Sequence, residues 1–287
     1  MVMDSEAAGA AIYKAEPAWR LVWNDLDSSA VATHYALEEA IGQTVAEKAA
    51  PATVRMWQGP QGISVAKKDI RTASGQRAAQ MMKDVGWPVY VRQSGGTAVP
   101  HGPGTLNFSL FLPRPQEPQW SIEAIYRALG LPIQMMLADC FGLPSTFEAV
   151  PGSFCDGNFN VVIYGKKVAG TAQVWKGGPA GMSSGRPGYI LAHATLLTHL
   201  DREAAVSALN AFYQLATNTR PVEVETVGTV QQFTNLEAEE LDQKVQAGLL
   251  AALEELTGVE KIEAPSEEEW RIARSLEAHC HPGFYVK

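Results

Sequence analysis

Residues 92–110 read RQSGGTAVPHGPGTLNFSL, and the two halves of this stretch obey different physics. The first half places Gly95-Gly96, Gly102 and Gly104 among small and turn-forming residues, where glycine lets a ligand come close to the backbone and collect N–H groups. In the second half Leu106, Phe108, Leu110 and Leu112 alternate with Asn107, Ser109 and Phe111, the period of a half-buried strand, ending at Pro113. A glycine-rich connection that leads into a strand is neither a P-loop, which needs a terminal Gly-Lys-Ser/Thr, nor a dinucleotide fingerprint, which opens a helix. The stretch therefore indicates an α+β fold with a ligand-binding turn between strands.

Working outward, Trp87–Arg92 reads as a strand feeding the turn, and Thr53–Ala66, broken by Gly59, Pro60 and Gly62, as two short strands or a strand and a kink. Upstream, Asp27, Ser28 and Ser29 are cap residues for a helix carrying Ala30, His34, Leu37, Ile41 and Val45 at helical spacing. Downstream, Ser121 caps a helix, and a second is expected after Pro132. Asn160–Tyr164 and Lys167–Gln173 flank Gly165-Lys166 as a two-residue hairpin turn. A strand over Tyr189–Leu197, a helix over Asp201–Ala216 and two further helices follow, the last opened by a Ser266/Glu269 capping box. The expected organisation is an extension over 1–18, a catalytic body over 19–217 and a helical segment over 218–287.

Of the 287 residues 46% are apolar, enough for a core, and the formal charge is -8. That balance argues against nucleic acid as partner, because phosphate backbones are held by clustered Lys and Arg. The acidic excess is local: Leu236–Glu269 carries eleven acids against Lys244 and Lys261, leaving the rest near neutral, and it reads as a solvated helical face. Three cysteines are too few for a disulfide framework, and no apolar run resembles a signal peptide or a membrane span, so a cytoplasmic protein is expected. His279-Cys280-His281 lacks a second cluster and is discounted as a zinc site; no metal is expected.

Two residues could carry chemistry. Cys155, in Gly152-Ser153-Phe154-Cys155-Asp156-Gly157, is either a free core cysteine or a nucleophile presented on a loop. Its Ser-x-Cys-x-Gly spacing imitates a nucleophile elbow, but a strand rather than a helix follows. Lys167 is either a solvated turn residue or a cation that polarises a carbonyl and favours a thiolate.

Taken together, RQSGGTAVPHGPGTLNFSL, GKKVAGTAQ (165–173) and LAHATLLTHLD (191–201) resemble, in order and spacing, the signatures of the biotin/lipoate protein ligase catalytic superfamily. The resemblance implies a mixed β-sheet flanked by helices, with an octanoyl or lipoyl chain bound between the glycine-rich loop and the lysine strand. On it, Lys167 is the signature lysine, and Arg92, Ser94, Gly95, Gly96, Thr97, His101, Gly170, Thr171 and Ala172 are the expected substrate-binding residues. FCDGNFNVVIYGKKVAG (154–170) is similar to the cysteine-bearing loop of the octanoyl and lipoyl transferases, which makes Cys155 the expected nucleophile. The implied reaction moves an acyl group from an acyl carrier protein or a lipoylated protein, through a Cys155 thioester, to the lysine of a lipoyl domain. Acceptors of that type are a 2-oxoacid dehydrogenase subunit or the glycine cleavage H protein, and no cofactor is required.

Alternatives are an ATP- and Mg-dependent lipoate ligase, or an inactive protein that binds lipoyl domains or acyl groups. Two departures bear on the choice. Val91-Arg92 stands where the family often has two arginines, removing one anionic contact of an adenylate site, and Ser64-Val65-Ala66-Lys67 stands where it often has a glycine.

Overall fold

The computed structural model describes residues 5–23, 30–116, 120–181, 186–216 and 221–286. In chain order its elements are α1 Ser5–Ala15, β1 Trp19–Trp23, α2 Val31–Ala46, β2 Ala52–Trp57, β3 Gly62–Ala66, α3 Lys67–Ile70, α4 Ala73–Asp84, β4 Val89–Arg92 and β5 Val99–His101. They continue with β6 Thr105–Pro113, α5 Ile122–Phe141, β7 Thr146–Glu148, β8 Asn160–Ile163, β9 Lys166–Lys176, β10 Tyr189–Leu197, α6 Arg202–Ala216, α7 Ala238–Thr257, β11 Ile262–Glu263 and α8 Glu267–Leu276. A mixed sheet ordered β11-β1-β2-β6-β10-β9-β8-β7 is accompanied by a small sheet ordered β4-β3-β5, the α+β architecture expected.

The large sheet is covered on both sides. Leu106, Phe108, Leu110 and Leu112 of β6 point into a core shared with α1, α5 and α7, together with Ile190, Ala192, Ala194 and Leu196 of β10. On the opposite face Phe111 and Leu191 pack with α2 and α8. The half-buried strand predicted for β6 is therefore buried on both faces, and its polar residues Asn107 and Ser109 lie inside the protein. A third core joins the small sheet to α4 and α6 and includes Phe154 and Cys155.

Three local expectations change. Pro132 does not divide α5; packing of α1 and α7 along the helix outweighs the single backbone bond that proline removes. The β8–β9 turn is Tyr164-Gly165, with φ of 48° and 78°, one residue earlier than predicted, since a tight hairpin turn needs positive φ at both central positions. The predicted caps Asp27–Ser29 lie outside the described residues, and α2 has Ala30 as N-cap without a side-chain bond.

The acidic C-terminal segment is not only a solvated face. β11 adds to the sheet edge beside β1. The capping box of α8 forms in both directions, and Glu269 is fully buried, bonded to Arg20 at 2.5 Å and to Thr44 at 2.9 Å. Among the described residues no helix is long and apolar enough to cross a membrane, and none of the His, Cys, Asp and Glu side chains group as a metal site.

Candidate active site

The turn between β4 and β5 is built around Arg92, which is 2% exposed. Its Nε donates to Ser94 Oγ (3.2 Å) and the Gly95 carbonyl (3.2 Å), Nη1 to the Ser64 carbonyl (2.9 Å), and Nη2 to the carbonyls of Gly95 (2.7 Å) and Thr97 (2.6 Å). A planar guanidinium with several fixed donors can hold several carbonyls at once, and here it folds the turn around itself. Ser64, in the Ser64-Val65-Ala66-Lys67 segment where the family often has a glycine, supplies one of those carbonyls.

Cys155 sits against this turn. Its backbone N–H donates to Thr97 Oγ1 at 2.6 Å, and the Thr97 N–H donates to its Sγ at 3.3 Å, with Thr97 Oγ1 3.5 Å and Arg92 Nη2 4.0 Å from the sulfur. Cys155 adopts φ 45°, a left-handed conformation uncommon outside glycine, which turns its side chain toward the Thr97 backbone. Gly96, at φ 94°, leaves room for it: a Cβ there would lie 2.9 Å from Sγ and 3.0 Å from Arg92 Nη2.

Lys167 reaches the same loop from behind. A register shift between β8 and β9 at Val161/Val162 places Lys167 opposite Val162, and its side chain is fully buried. Such bulges re-aim side chains next to sites. Its ammonium donates to the carbonyls of Phe154 and, at 3.0 Å, Cys155, and lies 4.0 Å from the Phe154 ring centroid. Gly170 makes space, since a Cβ at that position would stand 3.0 Å from Lys167 Nζ.

Burial raises the Cys155 thiol pKa, but the charges of Arg92 and Lys167 and the Thr97 hydrogen bonds outweigh it and hold the pKa below the ordinary cysteine value. Burial drives the Lys167 ammonium down to about 8, against the attraction of Cys155 and Asp156.

Beside Cys155 lies a narrow cavity of about 20 Å³, room for little more than a water molecule. Its walls include Gly170, Thr171 and Ala172 of β9, Arg92, and Trp57. Sequence reasoning missed Glu38 of α2 and His193 of β10, which line it too. His193 Nε2 lies 2.6 Å from Ser94 Oγ and its Nδ1 3.4 Å from Glu38 Oε2, while Trp57 Nε1 and Ser109 Oγ donate to Glu38 Oε1. Burial opposes the Glu38 charge, yet the hydrogen bond with His193, together with Arg55 and Ser109, holds its pKa well below the ordinary carboxylate value. The signal was available: Val31, Tyr35, Glu38, Gly42 and Val45 form one helical stripe, with an acid on its apolar face.

Of the expected site residues, Cys155, Lys167, Arg92, Gly96 and Thr97 come together within one cluster. Ser94 and Gly95 hold the turn through Arg92 rather than facing the cavity. His101 stands behind the wall, stacked on Trp57 at 5.5 Å and bonded to Tyr35 Oη at 2.8 Å, and burial lowers its pKa to about 3, so it is neutral. The basic side chains around the site are mostly engaged. Arg92 and Lys167 point inward, Lys176 pairs with Glu39 at 2.8 Å, and Lys166 donates to the Glu225 carbonyl at 3.2 Å.

The lipoyl protein ligase A/B catalytic domain matches residues 30–250 of the chain. An octanoyl-[GcvH]:protein N-octanoyltransferase of Kyrpidia tusciae is 37% identical over 271 residues, covering 93% of this chain and 92% of that protein. A lipoyl-[GcvH]:protein N-lipoyltransferase of Listeria monocytogenes is 30% identical over 158 residues, covering 53% of this chain and 56% of the relative. Among solved structures, lipoate-protein ligase A bound with ATP superimposes with a TM-score of 0.67 at 19% identity, covering 91% of this chain and 94% of that one. The bi-partite lipoate protein ligase of Thermoplasma acidophilum gives 0.64 at 21%, covering 94% and 98%. At those identities the likeness is one of fold, and with the domain match and the Kyrpidia relative it places this chain in the lipoyl protein ligase A/B catalytic domain family.

Proposed function

We propose that the protein is an acyltransferase that moves an octanoyl or lipoyl group through a Cys155 thioester onto the lysine of a lipoyl domain. The observation that carries this reading is the Cys155 sulfur itself. It sits in the wall of the cavity, under the Thr97 N–H, with Arg92 and Lys167 lowering its pKa. The thiolate is the nucleophilic form, and an ordinary thiol is only a few per cent ionised at pH 7.

The name of the Kyrpidia relative points to an octanoylated GcvH as donor and a second protein as acceptor. The Cys155 thiolate attacks the donor's octanoyl-lysine carbonyl. The C–N bond breaks, the leaving amine takes up a proton, and the acyl group remains as a thioester. The acceptor's lysine amine then attacks that thioester, gives up a proton, and releases the thiolate. One amide is exchanged for another, so the overall change is near thermoneutral and no nucleotide is consumed. The Lys167 ammonium donates to the Phe154 and Cys155 carbonyls, so it holds the loop that carries the sulfur and its charge favours the thiolate.

An adenylating ligase would need cations to receive a triphosphate. At this cavity the Arg92 and Lys167 donors are directed to backbone carbonyls and the Cys155 loop, a poor fit to that group. Intact mass after incubation with octanoylated GcvH, without ATP, tests the proposal. The expected result is a hydroxylamine-sensitive octanoyl adduct on the wild type and none on Cys155→Ala; an adduct that survives in Cys155→Ala would overturn it.

A further inference from the structure

Glu38, His193 and Ser94 form a chain of polar groups that the reaction above does not use, contributed by α2, by β10 and by the glycine-rich turn. Its direction follows from donor logic. With a neutral imidazole the carboxylate of Glu38 can only accept and takes the Nδ1 proton, so Nε2 accepts from Ser94 Oγ at 2.6 Å while Ser94 Oγ accepts from Arg92 Nε at 3.2 Å. His193 Nδ1 then keeps its proton and faces Glu38 Oε2 at 3.4 Å. Glu38 is held in place by Trp57 and Ser109. From the Arg92 end the same guanidinium grips the Gly95 and Thr97 carbonyls, and Thr97 meets the Cys155 sulfur and backbone N–H. A continuous path of hydrogen bonds thus joins a buried carboxylate on one wall of the cavity to the thiol on another.

We propose that His193, backed by Glu38, is a positioning residue that locks Ser94 and Arg92 and so sets the orientation and ionisation of Cys155. The groups facing the ring are Glu38 of α2, Ser94 of the turn and the Tyr35 ring edge at 6.4 Å, with Arg92 and the neutral His101 as the nearby titratable side chains.

This inference rests on Cys155 as nucleophile, but its test does not require acyl transfer. In a Cys140→Ser background, which removes an exposed thiol on α5, iodoacetamide alkylation of Cys155 is followed against pH by peptide mass. His193→Leu and Ser94→Ala are expected to move the midpoint up by about half to one pH unit, a three- to tenfold loss of thiolate near neutrality. His193→Gln, whose amide accepts from Ser94 and donates to Glu38, and Ser94→Thr, which keeps the hydroxyl, should return it toward the wild-type value. In octanoyl transfer the same pair of losses should appear in kcat more than in KM. A wild-type profile in Ser94→Ala overturns the proposal, as does a Gln variant no better than Leu when both unfold at the same temperature. If His193→Leu does not fold, Ser94→Ala carries the same test. Transfer activity surviving in Cys155→Ala would instead refute the nucleophile and leave the alkylation comparison intact.

Discussion

At the scale of single residues, the site places a thiol next to two cations and takes both away from solvent. Under the proposed mechanism the rate of adduct formation should rise with pH as the thiol ionises, because only the thiolate attacks. Lys167 favours that thiolate, so in Lys167→Met the rise should occur at higher pH and the rate at pH 7 should fall several-fold; stopped-flow measurement from pH 5.5 to 9.5 reads it. In the wild type this support weakens above about pH 8, where Lys167 loses its own proton. Gly96→Ala combines φ 94° with a methyl 2.9 Å from the sulfur. It should cost on the order of 1–3 kcal/mol in urea unfolding and suppress the adduct, whereas an unperturbed variant would show the turn to be adaptable. Cys155 and Lys167 could be named from sequence because each stands in a recognisable segment. Their mutual arrangement could not, since it depends on a bulge and on a positive φ at a non-glycine residue, neither of which leaves a compositional trace.

At the scale of elements, period and cap chemistry were legible where they were local. The Ser121 and Ser266 caps, β10 and α6 follow from such signals. What escaped was set by distant partners. β11 is two residues long, too short for a pattern, and forms because β1 offers an edge. β6 shows clean alternation, yet both faces are covered, because its polar side serves the Glu38 site rather than water. α8 offers a test of how much such partners contribute. Ser266→Ala removes one cap bond and should cost about 0.5–2 kcal/mol. Glu269→Ala leaves Arg20 in place without its carboxylate and should cost about 3–5 kcal/mol. Equal midpoints in urea for the two variants would contradict the ordering.

At the scale of the whole molecule, the segment beyond residue 217 stands apart in charge but not in packing. The Gly228 N–H bonds the Lys167 carbonyl at 2.8 Å, α7 lies on α5, and α8 lies on α2, the helix that carries Glu38. A chain ending at residue 217 should therefore lose cooperative unfolding and the Lys167 strand's outer partner. A soluble truncated protein with a wild-type melting transition would count against this view.

The left-handed backbone at Cys155 has a consequence for the lineage of such proteins. At most positions a change to glycine weakens a fold by enlarging the unfolded ensemble, but here glycine would also relieve about 1–2 kcal/mol of conformational strain. Cys155→Gly is thus expected to melt no lower than Cys155→Ala. A single change that removes the sulfur would meet little resistance from folding, so on the proposed mechanism descendants that keep the fold and have lost the chemistry are within easy mutational reach. On the proposed mechanism, turnover rather than stability is what a cysteine at position 155 serves.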